Sequence, residues 1–416
     1  MTDFPRRTFL AGTGLTAAAS LLHSAPVAAA TGADPDRLFA DGWFAAADRG
    51  YARILAEHPD DAHAVAQRGY LALLGNRFTD AEQFLSRAVG LGDPASRHRL
   101  AECFVRQDRH DRAVPLLRST GDPRDAAHAE LYSHLDGPAW QVHGVADTRL
   151  PFLMTDPVPA VEASVNGGPP KGFLLDTYAP LDLNQADAEE AGLRSLATVP
   201  GRAMGGPITI HLGILPSLRV GGIELRNIPM QWAAIRRPAL PDGTQPAGVL
   251  GTTVFYHLLA TMDYAGRALR LRRRTAGCRT DGDRLPLWLA GDHFPCSLGR
   301  VLGYGPRVVT LDTGGLAHGL DTTVELAERL GIPVDRAHPQ QMGGNTVYPI
   351  TAERISLGGA TGYDVRGFAS ERGGLGIPGP GQAGQFGFTP IANFTHEFFK
   401  PFAVTFDYTA MRVIIR

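Results

Sequence analysis

The sequence predicts a multidomain chain: an N-terminal α-helical repeat module followed by a mainly-β region that is built twice. Three observations predict it. Apolar and small residues recur at helical spacing with a period near 34 over residues 35–136. From about residue 137 that texture gives way to short alternating stretches ended by glycines. Within this second region, one ordered set of landmarks occurs two times.

Length and composition agree with that division. A chain of 416 residues exceeds one ordinary core and implies two or three domains. An apolar content of 44% with 20% charge is that of a soluble globular protein, and 49 Gly with 31 Pro suits β-structure full of tight turns. The net charge is -2, and no basic stripe with interleaved aromatics occurs, which argues against a nucleic-acid partner.

Residues 1–30 read as a signal peptide. Arg6-Arg7-Thr8-Phe9-Leu10 is a twin-arginine pattern, Leu10 to Leu22 is weakly apolar, and Ala28-Ala29-Ala30 offers small residues for cleavage. The apolar stretch is short for a spanning helix, so cleavage is expected, with no stable membrane anchor afterwards. Export of the folded chain would place it outside the bacterial cytoplasm: in the periplasm, at the cell envelope or secreted.

Residues 35–136 carry the helical module. Phe44, Ala47 and Tyr51 recur as Phe78, Ala81 and Leu85, and Ala81-Phe84-Leu85 recurs as Ala113-Leu116-Leu117. Small residues where helices approach, flanked by large apolar ones at this period, resemble tetratricopeptide repeats; Gly69-Tyr70 and the turn His58-Pro59-Asp60-Asp61 fit the same pattern. Such a module is expected either to offer a groove to a peptide or protein partner or to brace the following domain.

The β-rich region is expected as two copies, 145–275 and 285–416. Val161-Glu162-Ala163-Ser164-Val165 alternates and ends at Asn166-Gly167, a hairpin signal. Phe173-Leu174-Leu175 then runs into Asp176-Thr177-Tyr178, as Thr310-Leu311 runs into Asp312-Thr313-Gly314. Short amphipathic helices follow at Ala186 to Leu193 and Thr323 to Leu330. Met204-Gly205-Gly206, Val220-Gly221-Gly222, Gly248-Val249-Leu250-Gly251 and Thr261-Met262-Asp263-Tyr264 follow the first Asp. Met342-Gly343-Gly344, Leu357-Gly358-Gly359, Gly384-Gln385-Phe386-Gly387 and Thr405-Phe406-Asp407-Tyr408 follow the second. Asp176 to Gly251 and Asp312 to Gly387 both span 75 positions, so a duplicated unit of about 120 residues is expected, with eight extra residues after Gly387. Asp263-Tyr264 and Asp407-Tyr408 read as turn residues between the last strands.

Two carboxylates a few ångströms apart do not both ionise readily, so one keeps a proton while the other stays charged. The ionised acid can take a proton from water while its partner donates to a carbonyl oxygen. A Thr beside each Asp can lock the two loops together, and a following Gly lets the backbone come close. An apolar pair, Asp-Thr-Gly, a glycine-opened hairpin, an apolar-apolar-Gly segment and a closing Asp-Tyr strand together resemble the retropepsin-like aspartic proteases, over residues 150–416, in a two-lobed, pepsin-like single chain.

The resemblance implies a bilobal acid-protease fold and an endopeptidase acting on peptide or protein substrates, without metal or organic cofactor. It makes Asp176 and Asp312 the catalytic pair, with Thr177, Thr313, Gly314 and Tyr178 supporting them. Val249-Leu250-Gly251 and Gln385-Phe386-Gly387 become the supports beneath the two loops. His211 and Tyr348 occupy flap positions, against the substrate. The departure is Tyr178, which stands where the family has Gly. A Tyr cannot take conformations reserved for Gly, so its ring is expected to fill part of the cleft or lift the loop. A catalytically impaired relative that binds peptides or envelope proteins is the alternative.

Other strings carry less. Gly379 to Gly384 matches a dinucleotide fingerprint without the strand that should precede it, and His396-Glu397 lacks the second His of a zinc helix. Cys278 and Cys296 can close a disulfide with Cys103 left over, or all three can be unpaired buried thiols.

Overall fold

The computed structural model describes residues 33–203, 206–274, 280–342, 344–373, 378–379 and 384–416. The expected signal peptide, Cys278 with its expected disulfide, and the middle of the Gly379–Gly384 string lie outside the described residues. Cys103 and Cys296 are buried free thiols. No helix among the described residues is long and apolar enough to cross a membrane.

Seven helices fill residues 35–133: α1 Pro35–Ala40, α2 Phe44–Glu57, α3 Ala62–Leu74, α4 Phe78–Gly90, α5 Ala95–Val105, α6 His110–Arg118 and α7 Pro123–Ser133. Asp34, Asp61 and Asp122 cap α1, α3 and α7 by accepting backbone N–H groups that the first turn leaves unpaired. Where α3 meets α4, a Cβ on Gly69 would lie 2.7 Å from the Leu85 side chain, so that crossing requires a glycine.

This module is packed as a brace. Phe39, Phe44 and Tyr70 share one buried core with Val308, Phe386 and Phe388 of the β-rich part. Phe44 stacks edge-on to both Trp288 and Phe388 at 5.0 Å, and Tyr70 donates to the Phe386 carbonyl at 2.9 Å. Burying each such ring contributes on the order of 2–3 kcal/mol. The buried Arg106 guanidinium pairs with Glu102 and donates to the carbonyls of Leu289 at 2.9 Å and Gly291 at 2.6 Å. At the other end, Leu131 of α7 packs with Val199, Ile210 and Leu212 of a second β-surface.

Among the described residues the strands form two eight-stranded sheets and one six-stranded sheet. In the first large sheet, Lys171–Asp176 is antiparallel to Ala160–Val165 and parallel to Gly248–Gly251. Asp182–Asn184 lies between Gly248–Gly251 and Ile223–Ala233. In the second, Tyr304–Asp312 is antiparallel to Phe294–Val301 and parallel to Ala392–Thr395, and Leu320–Thr323 lies between Ala392–Thr395 and Ala360–Ser370. Order and direction repeat over seven strands; the eighth differs, since Gln141–Gly144 pairs with Ile223–Ala233 and Trp288–Ala290 pairs with Phe294–Val301. The hairpin turn after Ala160–Val165 uses Asn166 and Gly167 at φ 49° and 74°, a conformation these two residues accept most readily.

The register corrects one expectation. Asp176 lies opposite Gly251, and Asp312 lies opposite Thr395. The second support is therefore Asn393-Phe394-Thr395, not Gln385-Phe386-Gly387, and the matched 75-residue spacing is a coincidence. The extra residues come before the support strand. Phe386 serves a different purpose, in the core shared with the helices.

Three strands from each half make the six-stranded sheet, which meets at its centre where Leu259–Asp263 pairs with Ala403–Asp407. Thr261 faces Thr405 there, with their hydroxyls 2.8 Å apart. Asp263 and Asp407 accept turn N–H groups as expected, at 2.9 Å from Gly266 and Ala410. Tyr264 and Tyr408 are more than turn residues: both rings are buried.

Candidate active site

Each Asp ends an apolar strand held from its far side by a parallel neighbour, so its position is set by ladder register. The two loops that follow are tied to each other. The Thr177 N–H donates to Thr313 Oγ1 at 3.0 Å, and the Thr313 N–H donates to Thr177 Oγ1 at 3.0 Å. Each hydroxyl then donates onward across the axis, Thr177 to the Leu311 carbonyl at 2.7 Å and Thr313 to the Leu175 carbonyl at 3.3 Å. Both threonines are wholly buried. Beneath them, Thr252 donates to the Thr177 carbonyl at 2.8 Å and meets the Tyr408 hydroxyl at 3.2 Å.

This lock brings Asp176 near enough to Asp312 that a charge on one disfavours a charge on the other. Burial, then the charge of Asp312, holds Asp176 well above the ordinary carboxylate range. Burial also raises Asp312, but the Asn393 amide and the Gly314 N–H act to lower it. Gly314 is required for space: a Cβ there would sit 2.1 Å from the Asp176 carboxyl carbon.

Tyr178 neither lifts the loop nor needs a glycine backbone. Its N–H donates to Asp176 Oδ1 at 2.7 Å, as the Gly314 N–H donates to Asp312 Oδ1 at 2.8 Å. Neither residue is at positive φ, so the expected conformational conflict does not arise. The ring crosses to the other half and packs edge-on against Phe294 at 4.7 Å, beside the Thr310 side chain.

The second half adds a buried polar cluster that sequence reading missed. Asn393 Nδ2 donates to Asp312 Oδ2 at 3.0 Å and to Asp321 Oδ2 at 3.2 Å, and its Oδ1 accepts from Thr310 Oγ1 at 2.8 Å. His318 Nε2 lies 3.0 Å from Asp321. The first half answers with Asp182 against the buried Arg237 guanidinium, although burial still pushes that carboxyl up to about 6.

Burial works against a charged His318, but the Asp321 carboxylate outweighs it and pushes the imidazole up to about 9. A folded value above the unfolded ~6.5 means that the pair stabilises fully below that pH and loses its contribution as pH rises through about 9. The ceiling is roughly 3 kcal/mol. Urea denaturation across this window should show stability falling toward alkaline pH, and His318→Gln should flatten that fall; an unchanged slope in the variant would refute the assignment.

His211 and Tyr348 lie on the expected hairpins, Ala197–Ala203 with Gly206–Val220 and Gln340–Met342 with Asn345–Leu357. Their partners are elsewhere: His211 stacks on Trp232 and bonds Ser195, and Tyr348 lies under Arg336. Among the described contacts neither reaches an Asp of the pair. The hairpins do approach one another, since a Cβ on Gly344 would come 2.7 Å from Arg202 Nη2. Asp156, His396 and Glu397 also converge, but Lys400 already supplies a cation there, bonded to Asp156 and, at 2.6 Å, to Glu397.

Residues 161–254, which hold Asp176, Thr177, Tyr178 and the first hairpin, match the model of the aspartyl protease family. The match supports an aspartyl protease. No curated protein matches the chain. Among solved structures, a mutant O-GlcNAc transferase of Thermobaculum terrenum is 20% identical, with a TM-score of 0.23. The alignment covers 25% of this chain and 21% of that one, and a likeness so weak carries no argument.

Proposed function

We propose that the chain is an exported aspartic endopeptidase of two retropepsin-like lobes, braced by a tetratricopeptide-like module and directed outward by its twin-arginine segment. The observation that carries this reading is the reciprocal Thr177–Thr313 lock, which sets Asp176 and Asp312 within reach of each other's charge. In the reaction, a water between the acids gives its proton to the Asp312 carboxylate as its oxygen adds to the peptide carbonyl carbon. Asp176 donates its proton to the carbonyl oxygen, forming a neutral diol. Collapse of the diol breaks the C–N bond. The proton held by Asp312 then passes to the leaving nitrogen, and Asp176 recovers its own from the diol.

The acid pair needs one proton in place, so activity should fall as pH rises past the range in which Asp176 keeps it. The test is cleavage of a mixed peptide library by the exported, signal-free protein from acid to neutral pH, with and without pepstatin. Cleavage that pepstatin blocks supports the reading. Pepstatin or peptide binding without cleavage would instead establish an impaired, binding-only relative.

A further inference from the structure

The two halves share one strand arrangement around the acids, so a polar side chain that only one of them carries there is informative. Ladder register makes Leu174 equivalent to Thr310 and Val249 equivalent to Asn393, and the paired loops make Tyr178 equivalent to Gly314. At each of these three pairs, one half has a side chain able to hydrogen-bond and the other has only carbon or none. The three polar members lie together: Tyr178 reaches Thr310, Thr310 bonds Asn393, and Asn393 bonds Asp312. Three independent departures from symmetry that converge on one acid call for a common explanation.

The direction of that chain follows from the donors available. Asn393 faces two carboxylate oxygens, which only its Nδ2 can satisfy, so Oδ1 must face Thr310. Thr310 spends its single proton on Oδ1, which leaves it only acceptor capacity toward the Tyr178 hydroxyl beside it. The Thr310 and Asn393 protons therefore point toward Asp312, and the first bond polarises the second. Asp176 has Val249 at the corresponding ladder position and receives no such donor from it.

We infer that Tyr178, Thr310 and Asn393 form a positioning relay that fixes Asp312 as the ionised member of the pair and leaves the proton on Asp176. Tyr178 is then a co-adapted part of the site and not damage to it. The inference deepens the proposed peptidase reading, which supplies the reaction, and assigns these residues a task that acts through Asp312. The charged and titratable groups facing Asp312 are Asp176, Asp321, His318, Tyr264 and Tyr178. Asp176 is replaced throughout the variants below and Tyr178 in one of them; Asp321, His318 and Tyr264 stay in place.

The test isolates Asp312 in an Asp176→Asn background of the full chain, so that one carboxyl titrates instead of a coupled pair. Aspartate labelled with 13C at the carboxyl carbon reports the midpoint, assigned by the signal that Asp312→Asn removes. Adding Asn393→Val, which copies the other half, should raise that midpoint by about one pH unit or more. Adding Tyr178→Phe, which keeps the ring and removes only the far donor, should raise it by a smaller amount. Midpoints unchanged in both variants overturn the relay. If Asn393→Val does not fold, the Tyr178→Phe midpoint decides alone. The readout needs no turnover, so a protein that cleaves nothing refutes the peptidase reading while the titration still judges the relay.

Discussion

Under the proposed peptidase reading, Asp176→Asn is expected to abolish peptide hydrolysis and at the same time to stabilise the protein at neutral pH. Loss of the proton donor to the carbonyl oxygen removes general acid catalysis, which alone is worth about 10²–10⁴-fold, so kcat/KM should fall by at least that factor. The stability effect has the opposite sign. The folded Asp176 carboxyl titrates well above its unfolded value because of burial and the charge of Asp312. The native state therefore binds the extra proton, and stability contributed at low pH is lost as pH rises through that raised value. An amide of the same shape escapes this penalty. Denaturation midpoints at acid and neutral pH check the claim: the variant should gain most at neutral pH, and a loss there would show that the pair does not carry the strain described.

The second large effect concerns the lock. Thr313→Val leaves the Thr177 N–H without its acceptor and the Leu175 carbonyl without its donor, both in a fully buried site. Two stranded polar groups cost roughly 2–5 kcal/mol together, and the loops that hold the acids lose their tie. Activity should fall with stability. Thr261 and Thr405 provide a control, because their hydroxyls mainly satisfy each other across the six-stranded sheet. Replacing both by Val removes donor and acceptor together and should change stability by about 1 kcal/mol or less. Equal losses from Thr313→Val and from the Thr261, Thr405 double variant, read by urea denaturation, would contradict the view that stranded partners set the cost.

Much of the fold was readable from the sequence because it is written in periodicity. Helical spacing located residues 35–133, alternation located the strands, and Asn166-Gly167 marked a hairpin turn that the structure places at that point. Both Asp-Thr pairs were visible because their local pattern recurs. The second support strand was not. Asn393 and Thr395 stand where the first half has Val249 and Gly251, so a search for apolar-apolar-Gly found Phe386 and its neighbours instead. Only ladder register separates the two.

Tyr178 was visible as an oddity but could not be interpreted, since its meaning lies in Phe294 and Thr310, more than a hundred positions away. The hairpin residues failed for a similar reason. His211 was chosen for its place along a strand, while its ring partner Trp232 and hydroxyl partner Ser195 come from neighbouring segments.

The seven-strand repetition between the two large sheets has one last consequence. An acid pair assembled from two identical subunits must draw both half-sites from one gene segment, so any side chain placed beside one acid is placed beside the other. The proton between them then has two homes of equal energy. Covalent fusion of the halves releases each equivalent position to vary alone. Val249 can diverge from Asn393 without compromise, and the degeneracy of the proton can be lifted before any substrate arrives. A peptide entering such a site would meet a fixed polarity: its carbonyl oxygen toward one acid, its attacking water toward the other.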